Sequence, residues 1–169
     1  MNRSIVLIGF MGVGKSVVAN KLAIKLKRKV ASTDKLIEKM TGKSIADIFR
    51  DLGEAYFRRL EESVVEEIAT ATDLVIDCGG GVVLNQKNID QLKKNGILFY
   101  LSASLEVICK RAMQEPNRPL LKTDDAEARI VELLKERKPQ YEQADHTIDT
   151  SHHKVDQTVS EILKLLPHE

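Results

Sequence analysis

A chain of 169 residues, 43% hydrophobic and 30% charged, is long enough to close one sizeable core. Lys and Arg number 26 against 25 Asp and Glu, a formal net charge of +1, which argues against a nucleic-acid binder held by phosphate contacts. Cys78 and Cys109 lack C-x-x-C spacing, so neither a disulfide framework nor a zinc site is expected, and no apolar run reaches the roughly 18 residues of a membrane span. One domain over 1–169 is expected, in the cytoplasm, because the first apolar run leads into a glycine loop rather than a cleavage site.

That run, SIVLIG at 4–9, is short, branched and unalternating, which predicts a strand buried on both faces. It opens into GFMGVGKS, residues 9–16, which fits G-x-x-x-x-G-K-[ST] at every fixed position. Gly12, Val13, Gly14, Lys15, Ser16 and Val17 are therefore read as a nucleotide site. Glycine backbone turns N–H groups toward phosphate oxygens, Lys15 reaches the β- and γ-phosphates, and the Ser16 hydroxyl suits Mg2+. Val18, Leu22 and Leu26 predict the face of the helix that follows.

RKVAST at 28–33 is a weaker strand, and Asp34 just beyond it stands either at the carboxyl edge of the sheet or as a plain helix N-cap. From Asp34 to Thr72 the pattern is helical, broken at TGKS (41–44) and LGE (52–54), so extra helices are inserted between two strands. The helix in GEAYFRRLEESVVEEIA buries Phe57, Leu60, Val64 and Ile68; Arg58 sits near Glu61 and Glu62, where surface ion pairing is an adequate reading. LVIDCG at 74–79 is the next buried strand. Its Asp77 is either a metal-side carboxylate or a strand terminus, and Gly79, Gly80 and Gly81 either admit a ligand against backbone or form a flexible turn.

GILFYL at 96–101 and HTIDT at 146–150 complete five strands, and QEPNRPLLKTDD at 114–125 suits an exposed flap. Arg137 shares a helical face with Ile130, Leu133 and Leu134, so its guanidinium needs an internal carboxylate or an anionic ligand, and Pro139 predicts a bend. His152 and His153 lack metal-ligand spacing and read as loop surface. Val155, Val159, Ile162 and Leu166 mark a last helix. The alternation predicts an α/β fold, a parallel five-stranded sheet flanked by helices, with ligands at the carboxyl ends of the strands.

GFMGVGKS, TDKLIEKMTGKSIADIF, GEAYFRRLE, CGGG, RPLL, ERKPQY and IDT, in this order over nearly the whole chain, resemble the shikimate kinase family of small P-loop kinases in aromatic amino-acid biosynthesis. The resemblance implies that ATP, with Mg2+ as cofactor, phosphorylates the 3-hydroxyl of shikimate. Residues 34–61 would bind shikimate and 112–124 would form a lid. Asp34 would face the accepting hydroxyl, Arg58 and Arg137 would clamp the carboxylate, and Glu61 would steady the arginines. Gly80 and Gly81 would offer backbone contacts, with Phe49 and Phe57 walling the ring. Arg118 would close onto the phosphates, while Arg111 and the loop after Asp149 would lie beside adenine. No nucleic acid or membrane is implied, and a monomer is expected.

The chain departs from the family pattern twice. Many members carry D-x-D where this chain reads Ser32-Thr33-Asp34, and a small hydroxyl residue where it has Asp77, so Asp77 is expected to replace the missing carboxylate and hold Mg2+ through water, while Ser32 donates a hydrogen bond. Val155 stands where the adenine loop often has proline, which implies a looser loop. A gluconate kinase, a nucleoside monophosphate kinase or a nucleotide switch without an acceptor would share the glycine loop. The arginine pair with GGG and RPLL favours shikimate.

Overall fold

The structure is a computed structural model that describes residues 3–114 and 125–167. Its strands are β1 (Ser4–Ile8), β2 (Lys29–Ser32), β3 (Leu74–Asp77), β4 (Gly96–Ser102) and β5 (His146–Asp149). All pair in parallel in the order β2-β3-β1-β4-β5. β1 is central and apolar on both faces, with Ile5, Val6 and Leu7 wholly buried, as its unalternating sequence requires. The strand order reverses around β1, which opens a crevice at its carboxyl end.

Helices α1 (Lys15–Leu26), α5 (Gln86–Asn95), α6 (Leu105–Met113), α7 (Ala126–Tyr141) and α8 (Val155–Leu165) connect or flank the strands. Val18, Ala19 and Leu22 of α1 and Val159 and Ile162 of α8 are buried on the faces their spacing marks. Between β2 and β3 stand three extra helices, α2 (Thr33–Thr41), α3 (Ile45–Leu52) and α4 (Glu54–Ile68), broken where the sequence predicts. Ser32 caps α2 by accepting from the Lys35 amide, and Ser44 caps α3 by accepting from the Asp47 amide. Asp34 therefore lies in the first turn of α2 and is not its N-cap. Pro139 lies within α7, which continues to Tyr141. The expected lid falls largely outside the described residues: RPLL and Arg118 belong to 115–124.

Where α5 turns into β4 the packing is tight. A Cβ on Gly96 would lie 2.6 Å from both the Leu92 carbonyl oxygen and a Val6 methyl. Backbone and a wholly buried side chain have no room to yield there. Gly96→Ala is expected to lower the unfolding free energy by about 1–3 kcal/mol; urea unfolding followed by circular dichroism measures it.

Candidate active site

Two cavities open at the carboxyl edge of the sheet. The first, about 460 Å3, lies over the glycine loop and is lined by Gly12, Gly14, Lys15, Ser16, Asp77 and Arg111 among others. Gly12 (φ 80°) and Gly14 (φ 95°) adopt backbone that side-chain-bearing residues avoid, which shapes the loop and starts α1. The α1 N-terminus adds its positive end. Lys15 is buried and arches over the loop, donating to the carbonyls of Gly9 at 2.8 Å and Phe10 at 3.0 Å.

Ser16 Oγ donates to Asp77 Oδ2 at 2.7 Å. Asp77 pairs with Ser32 across the β2–β3 ladder, so these strand ends occupy one rung. Among the described residues no three His, Cys, Asp or Glu side chains gather as a metal cage. A hydroxyl and one carboxylate beside a phosphate loop nevertheless fit Mg2+, which takes its other ligands from nucleotide and water.

The second cavity, about 270 Å3, is lined by Glu38, Ile45, Phe49, Phe57, Arg58, Glu61 and Arg137 with the glycine turn after β3. Arg58 and Arg137 thus face one space from different helices. Arg58 Nε and Nη2 donate to Glu54 Oε1 at 3.2 and 3.0 Å, and its Nη1 donates to Glu61 Oε2 at 2.9 Å. Its guanidinium lies against Gly81, where a Cβ would collide with it, and 5.1 Å from the centroid of Phe57. Arg137 is only 2% exposed and stands 5.9 Å over the Phe10 ring. Its Nε is buried without a hydrogen-bond partner. Phe49 and Phe57 meet at 4.9 Å between ring centroids and form an apolar wall.

Met11, Asp34, Gly79 and Gly80 line both cavities, so Asp34 stands where the phosphate space meets the arginine space. The wall is braced: Gly79 N donates to Thr33 Oγ1 at 2.8 Å, and the Tyr141 hydroxyl donates to the Gly80 carbonyl. A third cavity of about 270 Å3 adjoins the first through Gly14, Val17 and Arg111 and is lined by Val13, Thr150, His153 and Val155. His153 is therefore not plain loop surface, whereas His152 is exposed. The reason is a fastening no local pattern reveals: Thr150 Oγ1 donates to Ser102 O at 2.9 Å and to Val13 O at 3.5 Å, and His153 N closes a turn onto Thr150 O. Arg111 Nη1 also reaches Val13 O, at 3.4 Å.

A sequence model of the shikimate kinase family matches residues 11–167. The chain belongs to the shikimate kinase family. It is 47% identical over 162 residues to a shikimate kinase of Caldanaerobacter subterraneus subsp. tengcongensis, covering 96% of this chain and 95% of the relative. A shikimate kinase of Pelotomaculum thermopropionicum is 47% identical over 164 residues, covering 97% and 95%. A solved shikimate kinase from Acinetobacter baumannii in complex with shikimate superposes with a TM-score of 0.94 at 36% identity, covering 98% of this chain and 93% of that one.

The sequence pattern gave roles to Arg58, Glu61 and Arg137 but none to Glu54, Glu38 or Tyr141, although the quoted motifs contain all three. Glu54 was findable, since it precedes Arg58 by four residues on one helix. Glu38 Oε1 accepts from the Ile45 amide at 3.0 Å and so ties α2 to α3, a contact without local signature.

Glu61 is 1% exposed, and burial raises its carboxyl from 4.5 to about 7, with Arg58 pulling the other way. A folded-state value above the unfolded one favours the folded chain below the unfolded value, and that gain is lost as pH rises through 7. Glu61→Gln removes the titration. Its stability relative to the unmutated chain should rise between pH 5 and pH 8, by on the order of 3 kcal/mol; urea midpoints across that range measure it.

Proposed function

We propose that the chain transfers the γ-phosphoryl group of ATP directly to the 3-hydroxyl of shikimate, giving shikimate 3-phosphate and ADP. One domain over 1–169 carries the reaction, with 34–61 holding the acceptor and 112–124 closing over it. The observation that carries this reading is the single cavity shared by Arg58 and Arg137, meeting the phosphate cavity at Asp34. Shikimate is a small ring with one carboxylate and several hydroxyls. Two guanidiniums match one carboxylate, the aromatic wall suits the ring, and the bound acid of the Acinetobacter baumannii relative agrees.

Gly12, Val13, Gly14, Lys15, Ser16 and Val17 hold the phosphates, and the adenine takes the adjoining space beside Arg111 and His153. Ser16 and Asp77 would hold Mg2+, which supplies positive charge to the β- and γ-phosphate oxygens when bound. Asp34 aligns the acceptor hydroxyl and accepts its proton, while Lys15 counters charge on the moving phosphoryl group. Arg118 is assigned the closing positive charge by its motif alone. In a loose transition state, positioning and electrostatics outweigh base strength, and closure keeps water from the phosphoryl group. No helix among the described residues is long and apolar enough to cross a membrane, and the reading is of a cytoplasmic monomer.

Coupled assay of ADP release tests the reaction: release should depend on shikimate, and stimulation by gluconate alone, or indifference to any acceptor, overturns it. Arg58→Ala and Arg137→Ala should each raise KM for shikimate roughly ten- to a hundred-fold, the loss of one charge-assisted contact, and leave KM for ATP near its starting value. Lys15→Ala should lower kcat with both substrates saturating. For the metal, Asp77→Asn is expected to raise the Mg2+ concentration needed for half-maximal rate, while Ser32→Ala changes it little. An unchanged Mg2+ requirement in Asp77→Asn removes Asp77 from the metal side.

A further inference from the structure

We propose that the acceptor's carboxylate enters its cavity together with a proton, and that Glu61 is the group that takes the proton up. The inference rests on reading that cavity as the shikimate site. Glu61 lines the cavity and is almost wholly buried, with Oε2 accepting from Arg58 Nη1 at 2.9 Å and Oε1 buried without a hydrogen-bond partner. The free oxygen can carry a proton while the other keeps its bond to Arg58.

The groups around it come from every packed element. On its own helix α4, Arg58 is adjacent and Glu54 acts through Arg58. From α2, Asp34 approaches, and Glu38 lines the same cavity. α7 supplies Arg137 and, bonded to Gly80, Tyr141; the strand end beneath the turn supplies Cys78, with Lys15 beyond. Asp34 Oδ1 and Glu61 Oε1 lie 2.6 and 3.3 Å from the position a Gly79 Cβ would take, so two carboxylates flank one glycine. Arg58 and Arg137 already face Glu61 and Asp34. With Glu38 on the same cavity and Glu54 already on Arg58, one more carboxylate brings an excess of negative charge, and the cheapest relief is a proton on the most buried of them, Glu61.

Glu61 is poised for this, because burial already holds it at about 7 while Arg58 opposes and Asp34 reinforces the shift. The ligand occupies guanidinium charge and adds its own repulsion, both of which raise Glu61 further. The acceptor carboxylate is itself ionised throughout this range. Glu61 is thus a positioning residue: neutral, it keeps its hydrogen bond to Arg58 and leaves the guanidinium charge to the substrate; charged, it competes for that charge.

Titration calorimetry of the full chain with shikimate, in phosphate and in Tris, reads the proton directly. At pH 7 about half a proton should be taken up per shikimate bound, and Kd should weaken between pH 6 and pH 8 by at most about ten-fold per unit. Glu61→Gln should bind without uptake, with a Kd flat across that range and close to the unmutated value at pH 6. Buffer-independent heat in the unmutated protein overturns the inference without recourse to any variant. Uptake that survives in Glu61→Gln assigns the proton elsewhere and also overturns it. Absence of any shikimate binding in both buffers removes the functional reading itself, an outcome distinct from binding without a proton.

Discussion

The cavity between Arg58 and Arg137 depends on keeping two guanidiniums largely out of water. Arg137 is 2% exposed and the Arg58 side chain 21%, and the desolvation of such ions costs several kcal/mol each unless opposite charge is close. Glu54 and Glu61 meet that need for Arg58 from two sides and leave its plane flat on Gly81. Arg137 is supported differently, against the ring of Phe10 and beside Tyr141. The result is fixed positive charge around a small space, oriented before any anion arrives, so little reorganisation is needed on binding. The raised Glu61 carboxyl follows from the same packing, since the anion that stabilises Arg58 is itself buried.

Sheet topology joins this space to the phosphate loop. β3 lies beside β1, so the glycine turn after β3 packs on the loop after β1, where a Gly80 Cβ would stand 3.4 Å from the Met11 amide nitrogen. Tyr141 and Thr33 hold the turn from opposite directions. The two cavities therefore share a wall, formed by Met11, Asp34, Gly79 and Gly80. The same crowding keeps the turn free of side chains, because a Cβ at Gly79 or Gly81 would meet Asp34 or Arg58.

Much of this was legible in the sequence. The five strands lie within two residues of their predicted runs, and β1, β3 and β4 stood out because they are buried. β2 gave a weak signal for a physical reason: it is an edge strand, its Lys29 and Val30 are exposed, and hydrophobicity cannot mark what water touches. Arg137 was visible as a cation on an apolar stripe, and its partners were not, since Phe10 lies in a distant element. The ambiguity at Asp34 needed coordinates, because only the observed capping by Ser32 removes the bland alternative. His153 lies in a loop and is partly exposed, as expected, but its place in the third cavity depends on Thr150 fastening one loop to another, a contact spanning most of the chain.

The rung shared by Ser32 and Asp77 makes the two strand ends equivalent places for one acid. Side chains paired across a parallel ladder point to the same face from backbones about 4.8 Å apart. A carboxylate lost from one strand end can be regained at the next without moving any main chain. The Asp77 carboxylate therefore stands one backbone spacing from the place an acid at position 32 would take.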